Sequence, residues 1–137
     1  MRYSLFDGQR DMLLLVARVT LMILFLLSGW GKLTGFDGTV GYMTSLGAPA
    51  PMLAAAIAVL MEFVVGILLI LGFYTRPLAF LFALFVLGTA LLGHPFWNMA
   101  DPERSANLTQ FLKNLSIMGG LLALAVSGPG RFSVDGR

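Results

Sequence analysis

Four apolar stretches dominate this chain, and each is close to the ~20 residues that a helix needs to cross a bilayer. They cover residues 12–30, 51–73, 77–93 and 108–127, of which the third is the shortest. Hydrophobic residues make up 58% of the chain and charged residues 12%, against roughly 45–50% and 25% in soluble domains. A soluble domain of this length could not bury so much apolar surface. The sequence therefore predicts one all-α domain over residues 1–137, an integral membrane bundle of four helices.

The first apolar stretch could also belong to a cleaved signal peptide. The apolar core of a signal peptide has about 7–15 residues, and this stretch is longer. The segment Ser28–Lys32, which contains a tryptophan, also makes a poor small-residue cleavage site. We therefore interpret the stretch as the first spanning helix.

The segments between the apolar stretches determine how neighbouring helices are arranged. Residues 31–50 are rich in glycine, which favours turns. Within them, Val40 and Met43 fall near helical spacing, which is compatible with a short helix at the membrane surface. Only Tyr74–Arg76 joins the second helix to the third, so these two helices form an antiparallel hairpin. The short glycine-rich tail, residues 128–137, is expected to fray.

Positive charges outside the apolar stretches are unevenly distributed. Lys32 and Arg104 lie on one side of the membrane in this arrangement. The other side carries Arg2, Arg10, Arg76, Arg131 and Arg137. Because cytoplasmic loops carry the excess of positive charge, both termini are predicted to be cytoplasmic. The formal net charge of +2 includes no cluster of basic residues, so we expect no nucleic-acid partner.

Cysteine is absent from the chain, and His94 is the only histidine. Disulfides, iron–sulfur ligation, thiolate zinc sites and CxxC redox chemistry are therefore excluded for this chain itself. A single histidine also argues against a metal or haem site with several histidine ligands. We expect no metal site and no intrinsic cofactor.

Glu62 stands near the centre of the second apolar stretch. A charge at the centre of a bilayer costs roughly 2.5–3.5 kcal/mol or more, so this carboxylate needs a partner or a function. At the rise of a helix, Arg18 lies roughly 18 Å from Trp30 and Glu62 roughly 16 Å from Pro51. These matching depths predict a buried ion pair between Arg18 and Glu62. Small residues on the Glu62 face would let the first helix approach.

Two interpretations of this predicted pair are open. It could serve only to align the helices, as buried pairs can do while adding little stability. Alternatively, it could be the floor of a polar pocket, because further polar side chains lie towards the same end of the helices. The candidate ligand-pocket residues are Arg18, Lys32, Glu62, His94, Lys113 and Asn114. No catalytic residue is assigned.

Several short motifs follow one another along the chain. They are Gly29–Leu33, the run Glu62…Gly66…Gly72-Phe73…Thr75-Arg76, Gly93–Trp97, and Lys113-Asn114…Gly119-Gly120. In this order and spacing they resemble the DoxX family of small bacterial inner-membrane proteins, over about residues 12–127. The resemblance implies an arginine in helix one, a glutamate in helix two, a histidine after helix three and a lysine in helix four. Those places are occupied by Arg18, Glu62, His94 and Lys113.

The resemblance also implies a function, since some DoxX proteins are linked to quinone-coupled sulfur oxidation and others to thiol and oxidative-stress homeostasis. It favours a bacterial inner-membrane subunit of a quinone-linked oxidoreductase or redox-homeostasis system. Quinone would be the ligand, held by His94, Lys113 and Glu62, with Arg18 keeping Glu62 ionised. Electrons would come from a redox partner protein, and any thiol chemistry would also belong to a partner.

Two alternatives to this function are open. One is a transporter or binding protein for a small molecule or lipid, which would need a homo-oligomer because four helices are few for transport. The other is a structural or assembly protein in the lipid bilayer. Whether the chain is itself an enzyme is left open by its sequence.

Overall fold

The computed structural model describes residues 5–137, which form a helical bundle with no strand in that range. Four of its helices are long and apolar enough to cross a membrane, and one short helix lies between the first two of them. In chain order the helices are α1 (Arg10–Thr34), α2 (Phe36–Ser45), α3 (Pro51–Leu71), α4 (Thr75–Gly93) and α5 (Glu103–Ser127). The predicted all-α membrane bundle of four spanning helices is therefore confirmed.

Two of the long helices extend beyond their apolar cores. α1 continues past Trp30 to Thr34, and α5 begins at Glu103, five residues before the apolar stretch. Polar residues at the end of a span can continue a helix, because they reach water while the backbone keeps its hydrogen bonds. Hydropathy therefore detects only the central part of these helices.

Gly72 ends α3 inside the second apolar stretch. Its φ of 71° lies in the left-handed region, which glycine adopts without steric cost. The N–H of Gly72 donates to the Leu69 carbonyl at 3.2 Å, and the N–H of Phe73 donates to the Leu68 carbonyl at 2.9 Å. These two bonds are the signature of a Schellman cap, which satisfies carbonyls that the helix itself leaves open.

Apolar contacts at the centre of the bundle hold the helices together. Phe82 is fully buried, and its ring lies edge-on to those of Phe25 and Phe85, at 4.8 Å and 5.6 Å between centroids. Aromatic pairs favour this geometry. Met22 and Leu121 are also fully buried in the same cluster, so α1 and α5 share one core with α4.

The short helix α2 packs against the beginning of α3. Met43 is buried there with Ala55 and Ala58, while Tyr42 is exposed. The helix that the spacing of Val40 and Met43 favours is thus present. It covers the bundle end opposite to the one that holds residues 128–137. We call these the distal end and the terminal end, respectively.

Arg18 is fully buried at the terminal end, and its partners are backbone carbonyls. Its guanidinium donates to the carbonyl oxygens of Ile70 and Phe132. The Ile70 carbonyl belongs to the last turn of α3, where carbonyls lack partners within the helix and carry partial negative charge. The predicted ion pair between Arg18 and Glu62 is therefore wrong.

The close contact between α1 and α3 explains why that prediction failed. A Cβ atom at Gly29 would lie 2.7 Å from the Phe63 nitrogen and 3.0 Å from the Glu62 Cβ atom. Glu62 is thus level with Gly29, whereas Arg18 lies about 16 Å further along α1 at the helix rise. Counting depth from Trp30 and Pro51 assumed that these two residues lie at one level, which the packing contradicts.

The tail, residues 128–137, packs across the terminal end, so the expectation that it frays is wrong. The N–H of Val134 donates to the Leu71 carbonyl at 2.9 Å, and the N–H of Asp135 donates to the Gly72 carbonyl at 2.8 Å. The tail therefore pairs with the end of α3 and also supplies the second carbonyl that Arg18 needs.

The Asp135 carboxylate anchors the tail to the beginning of α4. Its two oxygens accept the backbone N–H groups of Tyr74 and Thr75 at 2.9 Å and 2.8 Å. Burial raises the pKa of Asp135, but the hydrogen bonds from Thr75 and Tyr74 and the nearby Arg137 charge outweigh it. The pKa of this carboxyl therefore lies below its usual range. A carboxylate at a helix N-terminus is stabilised in the same way by the open N–H groups there.

We expect Gly72→Ala to destabilise the protein more than Gly136→Ala. Both glycines have a left-handed φ, 71° and 74°, where a side chain costs roughly 1–2 kcal/mol. A Cβ at Gly72 would also overlap Ser133 and lie 2.7 Å from Arg18 Nη1, whereas a Cβ at Gly136 meets nothing within 4 Å. Thermal unfolding of the detergent-purified variants measures the difference, and equal midpoints would contradict this account of the tail.

We expect the stabilisation from Asp135 to depend on pH. The pKa of Asp135 is lower in the folded protein than in the unfolded chain. Its contribution to the free energy of unfolding is therefore complete when the pH is above the ordinary aspartate pKa, about 3.9. This contribution is lost as the pH falls through the lowered pKa of the folded protein. Asp135→Asn should lower the thermal midpoint at neutral pH, and its difference from the parent protein should shrink on acidification. The control is Asp37→Asn, which changes an exposed aspartate of α2. A difference that is constant down to low pH would contradict the assignment.

Candidate functional site

A cavity of about 250 Å³ lies in the distal half of the bundle, and all five helices contribute to its walls. Its apolar walls include Phe25, Phe85, Leu92 and Ile117. Its polar lining residues are Ser28, Lys32, Tyr42, Glu62, Thr89, His94, Lys113 and Asn114. Mostly apolar walls with a few convergent polar groups are typical of a site for a small ligand.

Glu62 is buried at the edge of this cavity and is paired with Lys32. Its side chain is 8% exposed, and its Oε1 lies 3.1 Å from the Lys32 ammonium nitrogen. The same ammonium donates to the Ser28 hydroxyl oxygen at 2.6 Å. Ser28 and Lys32 are four residues apart, so both lie on the face of α1 that meets Glu62. A lysine at the cavity therefore balances the carboxylate, in the role predicted for Arg18.

The backbone around Glu62 departs from a regular α-helix. Residues Leu60–Val65 form a π-helical turn within α3, a distortion that is frequent at functional sites. Gly29 of α1 packs directly on this turn, and a side chain there would push the two helices apart. The close approach brings the Lys32 side chain within reach of Glu62.

His94 follows the end of α4 and is oriented by the beginning of α5. Its Nδ1 lies 2.9 Å from the Asn107 side-chain oxygen, and the Asn107 amide nitrogen donates to the Glu103 carbonyl at 3.0 Å. Because the amide is held in this orientation, its oxygen accepts and His94 Nδ1 donates. The imidazole Nε2 is then the nitrogen left for a ligand.

Lys113 and Asn114 bring the polar face of α5 to the cavity. The Asn114 amide donates to the Thr89 hydroxyl at 3.3 Å, which joins α5 to α4. Lys113 is exposed and has no hydrogen-bond or ion-pair partner within residues 5–137. The cavity therefore combines one neutralised lysine–glutamate pair with one further positive charge.

Five of the six predicted pocket residues line this one cavity, and Arg18 is the exception. That these residues bind a ligand stays a prediction. Sequence reasoning missed Ser28, Tyr42 and Thr89. The spacing of Ser28 four residues before Lys32 was a signal that could have found it. The involvement of Tyr42 depends on how α2 folds over the bundle, which local spacing does not determine.

The fold and the cavity define a small four-helix integral membrane protein with a polar pocket in one half of its bundle. The chain belongs to the DoxX family, whose family model matches residues 13–95. It is a multi-pass protein of the bacterial inner membrane.

Two similar proteins from Escherichia coli strain K12 cover nearly the whole chain. Inner membrane protein YphA is 52% identical over 137 residues, which is 100% of this chain and 98% of YphA. Inner membrane protein YqjF is 45% identical over 125 residues, which is 91% of each chain. A third relative, CatD of Bacillus subtilis, is named as a candidate oxidoreductase and is 34% identical over 90 residues, 64% of this chain and 66% of CatD. No solved structure gives a significant match.

We expect Lys32→Met to destabilise the protein by about 1–3 kcal/mol, because it leaves the buried Glu62 carboxylate without its partner. The estimate is moderate because the Lys32 side chain is 26% exposed. Lys113→Met, which removes a lysine with no partner among residues 5–137, should change stability much less. The double variant Lys32→Met with Glu62→Gln should recover part of the loss, since it leaves no unpaired carboxylate at position 62. Equilibrium unfolding in mixed detergents measures all three, and equal losses for the two lysines would contradict the pairing.

Proposed function

We propose that this protein is the membrane subunit of a quinone-linked oxidoreductase or redox-homeostasis system, and that a membrane quinone binds in the cavity. The observation that carries the proposal is the convergence of Lys32, His94 and Lys113 on one cavity with apolar walls. A quinone has a flat apolar ring with two carbonyl oxygens, which require hydrogen-bond donors. Few ligands soluble in a bilayer need both features together.

The lining residues suit the two parts of a quinone ring. Phe25, Phe85 and Ile117 offer apolar surface to its faces. The Lys113 ammonium and the Tyr42 hydroxyl are lining donors that no acceptor within residues 5–137 already uses. His94 Nε2 accepts in the neutral imidazole and donates when the ring is doubly protonated. A charged donor to a carbonyl oxygen contributes about 1.5–3 kcal/mol, which is more than a neutral donor contributes.

The same residues can supply protons to the bound ring. Reduction of a quinone to a hydroquinone takes two electrons and two protons, and each proton ends on a carbonyl oxygen. The doubly protonated His94 imidazole carries a proton on Nε2, and the loop that holds it lies at the distal surface, from which a proton can be replaced. The electrons come from a partner protein that carries a redox cofactor. This chain contributes binding, orientation and proton delivery.

One relative supports a redox role for this protein, and the distribution of positive charges indicates its orientation in the membrane. CatD, whose name describes a candidate oxidoreductase, aligns with 64% of this chain at 34% identity. Arg10, Arg76 and Arg131 lie at the terminal end, whereas Lys32 and Arg104 lie at the distal end. By the positive-inside rule we infer that both termini are cytoplasmic, so that the cavity lies towards the outer face of the inner membrane.

We expect Lys113→Gln to weaken quinone binding roughly 10–100-fold, the factor that corresponds to losing one charged donor. A decyl-substituted benzoquinone is titrated into the detergent-purified protein and followed by its absorbance and by thermal stabilisation. The midpoint of thermal unfolding without ligand should be unchanged, because Lys113 has no partner among residues 5–137.

The matched control is Arg104→Gln, which removes a positive charge from the same helix and the same end but lines no part of the cavity. It should bind quinone as the parent protein does. Absence of quinone binding by the parent protein would overturn the proposal. Equal affinities of the two variants would show that quinone binds elsewhere.

A further inference from the structure

A second depression lies beside the cavity, in the seam between α1 and α5. It is an open groove of about 610 Å³, which we call the α1–α5 groove. Its lining residues are Leu14, Ala17, Thr20, Leu21, Gly120, Ala123, Leu124 and Ser127. Both helices are candidate membrane spans, so the groove lies at the depth of the lipid chains.

The α1–α5 groove adjoins the cavity along α1 and α5. Leu21 and Gly120 line the groove, and Leu24 and Ile117, each one helical turn away, line the cavity. The groove begins at Leu14, and the polar lining of the cavity begins at Ser28, fourteen residues later on α1. At the helix rise this distance is about 21 Å. The two depressions therefore lie end to end, and we call the polar cavity and the apolar groove together the path.

The groove is mainly apolar, and the donors of its two hydroxyl groups are already used. The Thr20 hydroxyl donates to the Val16 carbonyl at 2.8 Å within its own helix. The Ser127 hydroxyl has the Gly128 carbonyl oxygen at 3.0 Å. Among residues 5–137 no other polar side chain lines the groove, so it offers no free hydrogen-bond donor to a polar head group.

The groove ends in a polar contact at the terminal end of the bundle. There Arg10 donates to the Ser127 carbonyl at 3.0 Å, which joins α1 to α5. An occupant would thus have its polar group at the cavity end and an apolar chain that stops near this contact.

We infer that the α1–α5 groove holds the apolar chain of the molecule whose head group binds in the cavity. This inference rests on the proposed function and narrows its ligand to an amphiphile with one long apolar chain, such as an isoprenoid or alkyl quinone. A water-soluble quinone without a chain would use only half of the path. The ligand reaches the site from the membrane, because the groove opens to the lipid and Lys113 is exposed.

Gly120 and Gly119 provide a matched pair of variants for testing the groove. A Cβ at Gly120 faces Leu21 at 3.5 Å across the groove, whereas a Cβ at Gly119 meets nothing within 4 Å and Gly119 does not line the groove. Leucine at either position favours the helix, because it has a higher helix propensity than glycine. Gly120→Leu would fill the groove, and Gly119→Leu would add the same side chain beside it.

The experiment compares two quinones with the same ring, one with a methyl and one with a decyl substituent. The full chain is placed in lipid nanodiscs, so that partitioning of the decyl chain into lipid is equal for all variants. We expect Gly120→Leu to weaken binding of the decyl quinone roughly tenfold, about 1.4 kcal/mol of lost contact, and to leave the methyl quinone unchanged. Gly119→Leu should change neither affinity.

Other outcomes overturn the inference and are distinguishable from failure of the proposed function. If both quinones bind but Gly120→Leu affects them equally or not at all, the proposed function stands and the groove assignment falls. If neither quinone binds, the proposed function falls, and decanoate compared with acetate tests the groove separately. Decanoate binding that is lost in Gly120→Leu would keep the groove assigned, with an acid as the head group, and its absence would overturn it.

A second copy of the chain is the competing occupant, since small residues in a membrane groove also allow close helix packing. Native mass measurement of the same nanodiscs decides this point. A dimer in the parent protein that becomes a monomer in Gly120→Leu, with no dependence on chain length, would overturn the ligand assignment.

Discussion

A charge inside a bilayer has to find its partner within the protein, and this bundle meets that requirement at two separate depths. At the terminal end, Arg18 donates hydrogen bonds to the carbonyls of Ile70 and Phe132, which carry partial negative charge. At the distal end, Glu62 is neutralised by Lys32. Both contacts join α1 to α3, and the close packing at Gly29 lets the second of them form.

The surroundings of Arg18 and Glu62 differ in whether they leave polar groups free to contact a ligand. Every carbonyl that Arg18 contacts belongs to the backbone, and the tail covers the whole group, so nothing there faces a ligand. The distal centre instead leaves Lys113 and one nitrogen of His94 beside a cavity. The buried charges of the two ends therefore differ in their surroundings, because Arg18 is enclosed by protein whereas Glu62 borders the cavity.

The four spanning helices and most of the residues that line the cavity could be predicted from the sequence. Hydropathy identified the four spans, and counting along helix faces grouped Lys32, Glu62 and Lys113 correctly. The partner of Arg18 could not be found in this way, because depth along one helix carries no information about the level of another. The close contact at Gly29 sets that level. The π-helical turn around Glu62 and the docking of the tail depend likewise on tertiary contacts between distant segments, which local patterns do not encode.

The contact between Arg18 and Phe132 has a consequence for how the protein enters the membrane. The two residues are 114 positions apart. α1 is therefore synthesised long before the Phe132 carbonyl that accepts a hydrogen bond from Arg18. Until then α1 carries a charge that costs roughly 2.5–3.5 kcal/mol at the centre of the bilayer. The hydrogen bonds of the first helix are thus completed only by a segment that is made after all four spans.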